Sequence, residues 1–493
     1  MPVPVRTRPA AHVAPRRPKR NGVAASAMPN CDSFHEIMPS LGIHEWVLHA
    51  LFEGLCRPVV EEVIVRVLLI SSNHVIGALE MPLPLGLACV AAATEQAGHE
   101  VRLLALASRA TWEAAIESAI SQWQPAVIGI SVRNIDDQNM QCAHFLLAPV
   151  KELVALCLSV SRAAVVLGGA GYSIFPESAL AFLGADIGIQ GEGEIAFPAL
   201  LSWLRAGGRT AAPPAVYLPN RAATARSYVE DLDALPLPGP HLWLTFVDPS
   251  TRVPVQSRRG CPLDCIYCST SAIDGKPVRK RSPESVVAGM AEARTRGFRN
   301  FHFVDNTFNL PLPYAKVLCR KLIESGLDLD WWAIIYPRWV DLELVHLMAK
   351  AGCTQVSLGF ESGSESILRK LNKRFNRNEV QTISEMFADV GINRIGFLLL
   401  GGPGETKATV EESLAFAESL HLDSLKITVG LRIYPNTPLA SVAVAEGMVR
   451  RDDDLLLPRF YLGASLRDWL PARITQFEAS YVADQMASVP RTR

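Results

Sequence analysis

The stretch Arg259-Gly260-Cys261-Pro262-Leu263-Asp264-Cys265-Ile266-Tyr267-Cys268 carries three cysteines separated by four and then three positions. Such spacing gathers three thiolates around one point on a short loop, close enough to hold one iron–sulfur cluster. A cubane cluster is usually held by four cysteines, so three ligands leave one iron open to a substrate or cofactor. A disulfide reading is poor where thiols are kept reduced. Zinc is the rival, but a structural zinc site takes four ligands, commonly as two pairs, and no second pair lies nearby. The pattern reads as a catalytic cluster loop, and the chain as an enzyme.

The residues leading into this loop, Val253 to Ser257, form a β-branched run expected to be a strand that delivers the cysteines from its carboxyl end. More strand–helix units follow: Phe301 to Val304, Trp331 to Ile335, Gln355 to Leu358, Arg394 to Leu400 and Ser424 to Val429. About six repeats suit a partial (β/α)6 barrel rather than a closed eightfold one.

Upstream, the chain alternates in the same way. Strands are expected at Val65 to Ile70, Glu100 to Leu106, Ala126 to Ser131, Ala164 to Leu167 and Asp186 to Ile189. Helices are expected at Leu85 to Ala97, Thr111 to Trp123 and Leu146 to Ser161. This is the pattern of a doubly wound parallel sheet, whose ligands sit beyond the carboxyl ends of the strands. The unusual residues cluster at those ends: Ser131-Val132-Arg133-Asn134, then Gly168-Gly169-Ala170-Gly171-Tyr172, then Gly191-Glu192-Gly193-Glu194. Glycine allows positive φ and close approach of backbone to a ligand, so the set points to a large polar cofactor. No G-x-G-x-x-G follows the first strand, which argues against a dinucleotide.

Composition sets the bounds. The chain has 493 residues, 49% apolar and 20% charged, with a net charge of −1, so two or three domains are expected and no global field favours nucleic acid. The basic tract from Arg6 to Arg20 lacks an apolar run behind it and reads as a disordered tail, not a secretory signal. No stretch of about 18 apolar residues predicts a membrane span. Ten cysteines without a paired framework suit a reducing cytoplasm. Cys31, Cys56, Cys89, Cys142, Cys157, Cys319 and Cys353 are scattered and read as small buried hydrophobes. Expected boundaries are 1–30 basic tail, 31–62 helical segment, 63–210 first α/β domain, 211–246 linker, 247–448 barrel and 449–493 C-terminal extension.

The cysteine loop resembles the C-x3-C-x2-C signature of the radical SAM superfamily, in which the open iron of a 4Fe-4S cluster chelates S-adenosylmethionine. The first domain looks like the cobalamin-binding domain that precedes the barrel in many of these enzymes. Pro84-Leu85-Gly86-Leu87-Ala88, Ala97-Gly98-His99-Glu100-Val101 and the later glycine loops carry that likeness. The whole resembles the cobalamin-dependent radical SAM methyltransferases: an α/β chain with a Rossmann-like cobalamin-binding domain followed by a radical SAM barrel.

That resemblance implies roles. Cys261, Cys265 and Cys268 would hold the cluster, and Tyr267 would pack near the adenine. Asp305 and Asn306 would meet the amino group of S-adenosylmethionine, unless they merely close an Asx turn. Glu361 would accept from the ribose hydroxyls and Ser362 donate to the carboxylate. Gly401, Gly402 and Gly404 would form the turn beneath adenine and methionine, with Glu405 and Thr406 capping the next helix. Arg394 would be exposed or salt-bridged. Ile433-Tyr434-Pro435-Asn436-Thr437-Pro438-Leu439 would close the last unit.

Ser131, Gly168, Gly169, Gly191 and Glu192 would contact cobalamin. His74 sits where classical cobalamin domains place a cobalt ligand, but Ser72 replaces the aspartate that would orient it, so a solvated loop histidine is expected. The reaction implied is methylation of an unactivated carbon or phosphinate centre of a small molecule, through a 5′-deoxyadenosyl radical and methylcobalamin, with electrons from a donor such as flavodoxin or ferredoxin. The alternatives are a cyclase, ring-contracting or hydroxylating enzyme with the same cofactors, or a non-catalytic cobalamin or metal sensor.

Overall fold

The structure, a computed structural model, describes residues 64–72, 83–106, 111–219, 221, 226, 228–244 and 247–488. The basic tail, the segment 31–62 with Cys31 and Cys56, and His74 lie outside these residues.

Five of the six strands of the first sheet are those expected: β1 (Arg66–Ser71), β2 (Glu100–Ala105), β3 (Val127–Ser131), β4 (Ala164–Gly168) and β5 (Ile187–Ile189). They run parallel in the order β2-β1-β3-β4-β5. Their apolar runs suit a sheet covered on both faces. Alternate residues of β1 divide between two cores, Val67 and Leu69 into one, Leu68 and Ile70 into the other. Strand order reverses at β1, so the ligand crevice lies beyond the ends of β1 and β3. The sixth strand, β6 (Val216–Tyr217), pairs antiparallel with β5 inside the stretch expected to be a linker. A two-residue strand is too short to register as periodicity, and the Pro and Ala around it read as a connection.

The second sheet starts with β7 (Val253–Val255). A short antiparallel hairpin, β8 (Arg258–Arg259) and β9 (Arg279–Lys280), then brackets the cysteine loop. The sheet continues with β10 (Asn300–Phe303), β11 (Asp330–Ile335), β12 (Cys353–Glu361), β13 (Asn393–Leu400) and β14 (Ser424–Val429). All six strands are parallel, in the order β14-β13-β12-β11-β10-β7. Among the described strands β7 and β14 are the two edges, which makes this the partial (β/α)6 barrel. A final pair, β15 (Leu431–Arg432) and β16 (Phe460–Tyr461), ties the C-terminal extension back to the barrel, and Leu470, Ile474 and Phe477 of its last helix enter the core.

Phe303, Phe308 and Trp331 are wholly buried, with ring centroids 5.0–5.2 Å apart. Burying each such side chain contributes roughly 1.5–3 kcal/mol. The same core runs without interruption into the first sheet's helices through Met290, Trp243 and Leu87. A second core joins Tyr172 and Phe175 to Leu431 and Tyr434. The two sheets are therefore packed as one body, with their carboxyl ends toward each other.

Candidate active site at the facing strand ends

The hairpin β8–β9 pinches the neck of the cysteine loop. Gly260 has φ +89°, and a Cβ there would lie 2.0 Å from the Pro277 carbonyl oxygen, so only glycine fits. Within the loop Cys261 N–H donates to the Gly275 carbonyl at 3.1 Å and Cys268 N–H to the Cys265 carbonyl at 3.2 Å. Outside it, Ile266 N–H donates to Leu371 O, Leu439 N–H to Ile266 O, and Asn372 Nδ2 to Asp264 O at 2.7 Å. The loop is thus fixed from two later barrel units.

Cys261, Cys265 and Cys268 are all free thiols, the first buried and the others half-buried. Burial pushes the Cys261 thiol up to about 11, and the neighbouring Cys268 and Cys265 add to the rise against the Leu263 N–H and Lys373. Burial also raises Cys265. Such thiols stay protonated until a metal takes the proton's place. Among the described residues no three His, Cys, Asp or Glu side chains close on one point as a single ion would need. A cubane binds each cysteine through a different iron, so three thiols on one loop leave the fourth iron open. The donor set fits the cluster.

Beside the loop, Lys373 is 4% exposed and pairs with Glu361 at 3.2 Å. Its ammonium also lies 5.3 Å from the centre of the Tyr267 ring. Burial alone would lower the Lys373 pKa, but Glu361, Tyr267 and Cys265 together hold it well above the usual lysine value. Glu361 ends β12 with φ +63°, a conformation rare for a residue with a side chain, next to a shift in the β12–β13 register. Strain of this kind gathers at ligand sites. Lys373 was missed in the sequence because its partner is twelve positions away, across a helix.

Three residues expected to contact S-adenosylmethionine or cobalamin also hold hydrogen bonds within the protein. Asp305, 1% exposed, accepts from Ser257 N–H at 2.8 Å, Ser257 Oγ at 2.5 Å and Arg258 N–H at 3.1 Å, so it anchors the strand end before the cysteine loop. Ser362 is fully buried, hydrogen-bonded to Ser413 Oγ at 2.9 Å and accepting from Ser364 N–H. Glu192 is taken up by the barrel, as described below. Each residue type is as suited to closing a buried turn as to binding a ligand, and sequence alone does not separate the two.

Asn306 donates to Asp274 at 2.9 Å. Gly401 (φ +98°) and Gly404 (φ +71°) form the turn after β13. Its donors are covered from within, because Gly401 and Gly402 N–H both donate to one oxygen of buried Glu405. Thr406 alone caps the following helix. Arg394 is salt-bridged to Asp423 at 3.4 Å, as expected. Cys89, Cys157, Cys319 and Cys353 are buried as expected, but Cys142 is exposed, 3.9 Å from His144 Nε2.

In the first sheet the glycine turns sit against bare backbone. A Cβ on Gly169 (φ +104°) would lie 2.6 Å from Val132 O and 3.1 Å from Ser131 Oγ, and one on Gly171 3.0 Å from Arg133 O. Gly168 is looser, with Ile189 O at 3.8 Å. Gly191 (φ +87°) donates its N–H to Ser173 Oγ at 2.8 Å. Below them the Tyr172 hydroxyl is buried without a hydrogen-bond partner. Close packing against Val132 and Arg133 requires glycine at Gly169 and Gly171, and the Tyr172 hydroxyl faces Gly188 of β5.

The two sets of strand ends meet. Glu192 accepts from Arg279 and, at 2.5 Å, from Val229 N–H, while Glu194 accepts from Arg259, two residues before Cys261. Farther along the seam, Asp136 after β3 accepts from Arg432 of β15 at 2.7 Å. No sequence pattern marks these partners, because a charge pair between distant loops leaves no periodicity.

Comparison with known proteins agrees with this geometry. The B12 binding domain matches residues 79–201 and the radical SAM superfamily residues 255–417. A methyltransferase of Pyrococcus horikoshii, itself uncharacterised, is 27% identical over 376 residues, spanning 74% of this chain and 79% of that one. Cytidylyl-2-hydroxyethylphosphonate methyltransferase of Streptomyces wedmorensis is 25% identical over 458 residues, 79% of this chain and 84% of that one. In fold the chain is similar to the radical S-adenosylmethionine methyltransferase TsrM of Kitasatospora setae, solved with tryptophan and a SAM analogue. The TM-score is 0.73 at 22% identity, over 84% of this chain and 88% of that one.

Proposed function

We propose, of a chain that belongs to the cobalamin-binding radical SAM enzymes, that it methylates an unactivated carbon or phosphinate centre of a small molecule. Its cofactors are a 4Fe-4S cluster, S-adenosylmethionine and cobalamin. When bound, the cluster supplies an electron to S-adenosylmethionine and cobalamin supplies a transferable methyl group.

The chain's own residues do the rest. Cys261, Cys265 and Cys268 hold the cluster on a loop fixed at both ends by backbone hydrogen bonds. Tyr267, Asn306, Glu361 and the turn Gly401, Gly402 and Gly404 are the groups we assign to S-adenosylmethionine; Lys373 holds Glu361 in place. Ser131, Gly168, Gly169 and Gly191 line the crevice we assign to cobalamin.

The observation that carries this reading is the meeting of the two strand ends, since direct transfer needs both cofactors to face one cavity. The phosphonate methyltransferase among the relatives supports the substrate class. We assign a flavodoxin or ferredoxin as reductant, no nucleic-acid partner and a cytoplasmic location. Among the described residues no helix is long and apolar enough to cross a membrane. Methyl-labelled S-adenosylmethionine, given with substrate, tests the reading: label appears in the product with two molecules consumed per turnover. Unlabelled product overturns it in favour of a cyclase, ring-contracting or hydroxylating enzyme.

A further inference from the structure

Four charged side chains meet where the glycine turn after β5 touches the neck of the cysteine loop. Glu192 and Glu194 come from one turn, and Arg259 and Arg279 face each other across one hairpin. All four are between 5% and 8% exposed. Arg259 is held on every side: Nε donates to Gln256 Oε1 at 2.9 Å, Nη2 donates to Glu194, and Nη1 stands 3.5 Å from Glu192. Arg279 donates to Glu192, to Val229 O at 3.0 Å and to Asp274 O at 2.6 Å. Two cations and two anions thus pair in a buried seam, with Arg281 and Asp274 beside them.

Stability alone is a weak reason for such a cluster, because a buried ion pair can often be replaced by apolar side chains without loss. What apolar packing does not give is a single register: it tolerates sliding, whereas a two-by-two set of buried charges is satisfied in one alignment only. This one lies two residues from Cys261 on one side and within a residue of Gly191 and Gly193 on the other.

We propose that the Glu192, Glu194, Arg259 and Arg279 cluster registers the cysteine loop against the glycine turn of the first sheet, with Arg259 a positioning residue for transfer between the two cofactors. The inference rests on the reading that both cofactors face one cavity. The four charges set the separation, and the cysteines and glycines hold the groups.

The test is pulsed EPR on the reconstituted enzyme, reading the distance between cobalt(II) and the reduced cluster in wild type, Glu194→Gln, Glu192→Gln and Arg259→Lys. Phe387→Leu, a fully buried barrel site far in sequence from the seam, serves as a control for stability loss. The expected result is unchanged iron and cobalt content with a broadened or displaced distance in the three seam variants and a wild-type distance in the control. A misplacement near 1 Å should also lower the ratio of S-adenosylhomocysteine to 5′-deoxyadenosine, by up to about 100-fold. Seam variants with the wild-type distance and ratio overturn the proposal, and so do losses that follow melting temperature alike in seam and control. Wild type that forms no S-adenosylhomocysteine sinks methyl transfer instead, while the distance measurement still judges the register.

Discussion

Asp136 and Arg432 stand 296 positions apart in the chain and 2.7 Å apart in space, at 1% and 2% exposure. Arg432 also donates to the carbonyls of Ile433, Leu455 and Leu456, so its charge is wholly internal. Removing the acid would leave an unpaired buried cation. Asp136→Ala should therefore cost about 3–5 kcal/mol in urea unfolding. A loss under about 1 kcal/mol, the value of an exposed pair, would show that this seam is open to water.

Gly260 makes a sharper prediction. Any side chain there meets the Pro277 carbonyl in a backbone conformation that disfavours it. Gly260→Ala should spread the β8–β9 neck, and iron bound after anaerobic reconstitution should fall well below that of wild type while the circular dichroism spectrum is kept. Full iron content in this variant would contradict the role given to the neck.

Metal binding itself separates the cysteines into two classes. Alanine at Cys261, Cys265 and Cys268 together should abolish the brown absorbance and the reductive cleavage of S-adenosylmethionine. Cys319→Ala and Cys353→Ala, at core sites 0% and 5% exposed, should keep the cluster and lose only packing, on the order of 1 kcal/mol. Iron near four per chain, one cubane's worth, in the triple variant would overturn the assignment.

Glu405 gives a pH dependence. Burial raises its carboxyl to about 7, against the opposing pull of the Gly401 and Gly402 N–H groups. A carboxyl raised on folding favours the folded state most below its ordinary value near 4.5, and that advantage is lost as pH climbs through about 7. The loss is on the order of 3 kcal/mol. Relative to wild type, Glu405→Gln should thus become steadily more stable between about pH 5 and 8. Parallel stability curves for the two proteins would show Glu405 to be ionised throughout.

Much of this was readable in advance, for identifiable reasons. The central strands of the first sheet are buried on both faces, so runs such as Val67 to Ile70 stand out against the helices between them. The cysteine triplet is specific because few sites need three thiols at those spacings. What stayed hidden is long-range pairing. No motif announces that Ser362 bonds Ser413 or that Asp305 bonds Ser257. Nor does any motif announce that Glu192 meets Arg279, 87 positions away. Lys373 carries no motif, and only burial beside Glu361 singles it out.

The central claim is that this chain moves methyl groups from S-adenosylmethionine, using both cofactors. Its most direct test follows the fate of methyl-labelled S-adenosylmethionine in reconstituted enzyme with reductant, with and without cobalamin. The account predicts 5′-deoxyadenosine together with labelled methyl lost as S-adenosylhomocysteine is formed, the latter only when cobalamin is present. 5′-Deoxyadenosine without S-adenosylhomocysteine, in enzyme loaded with both cofactors, would contradict it.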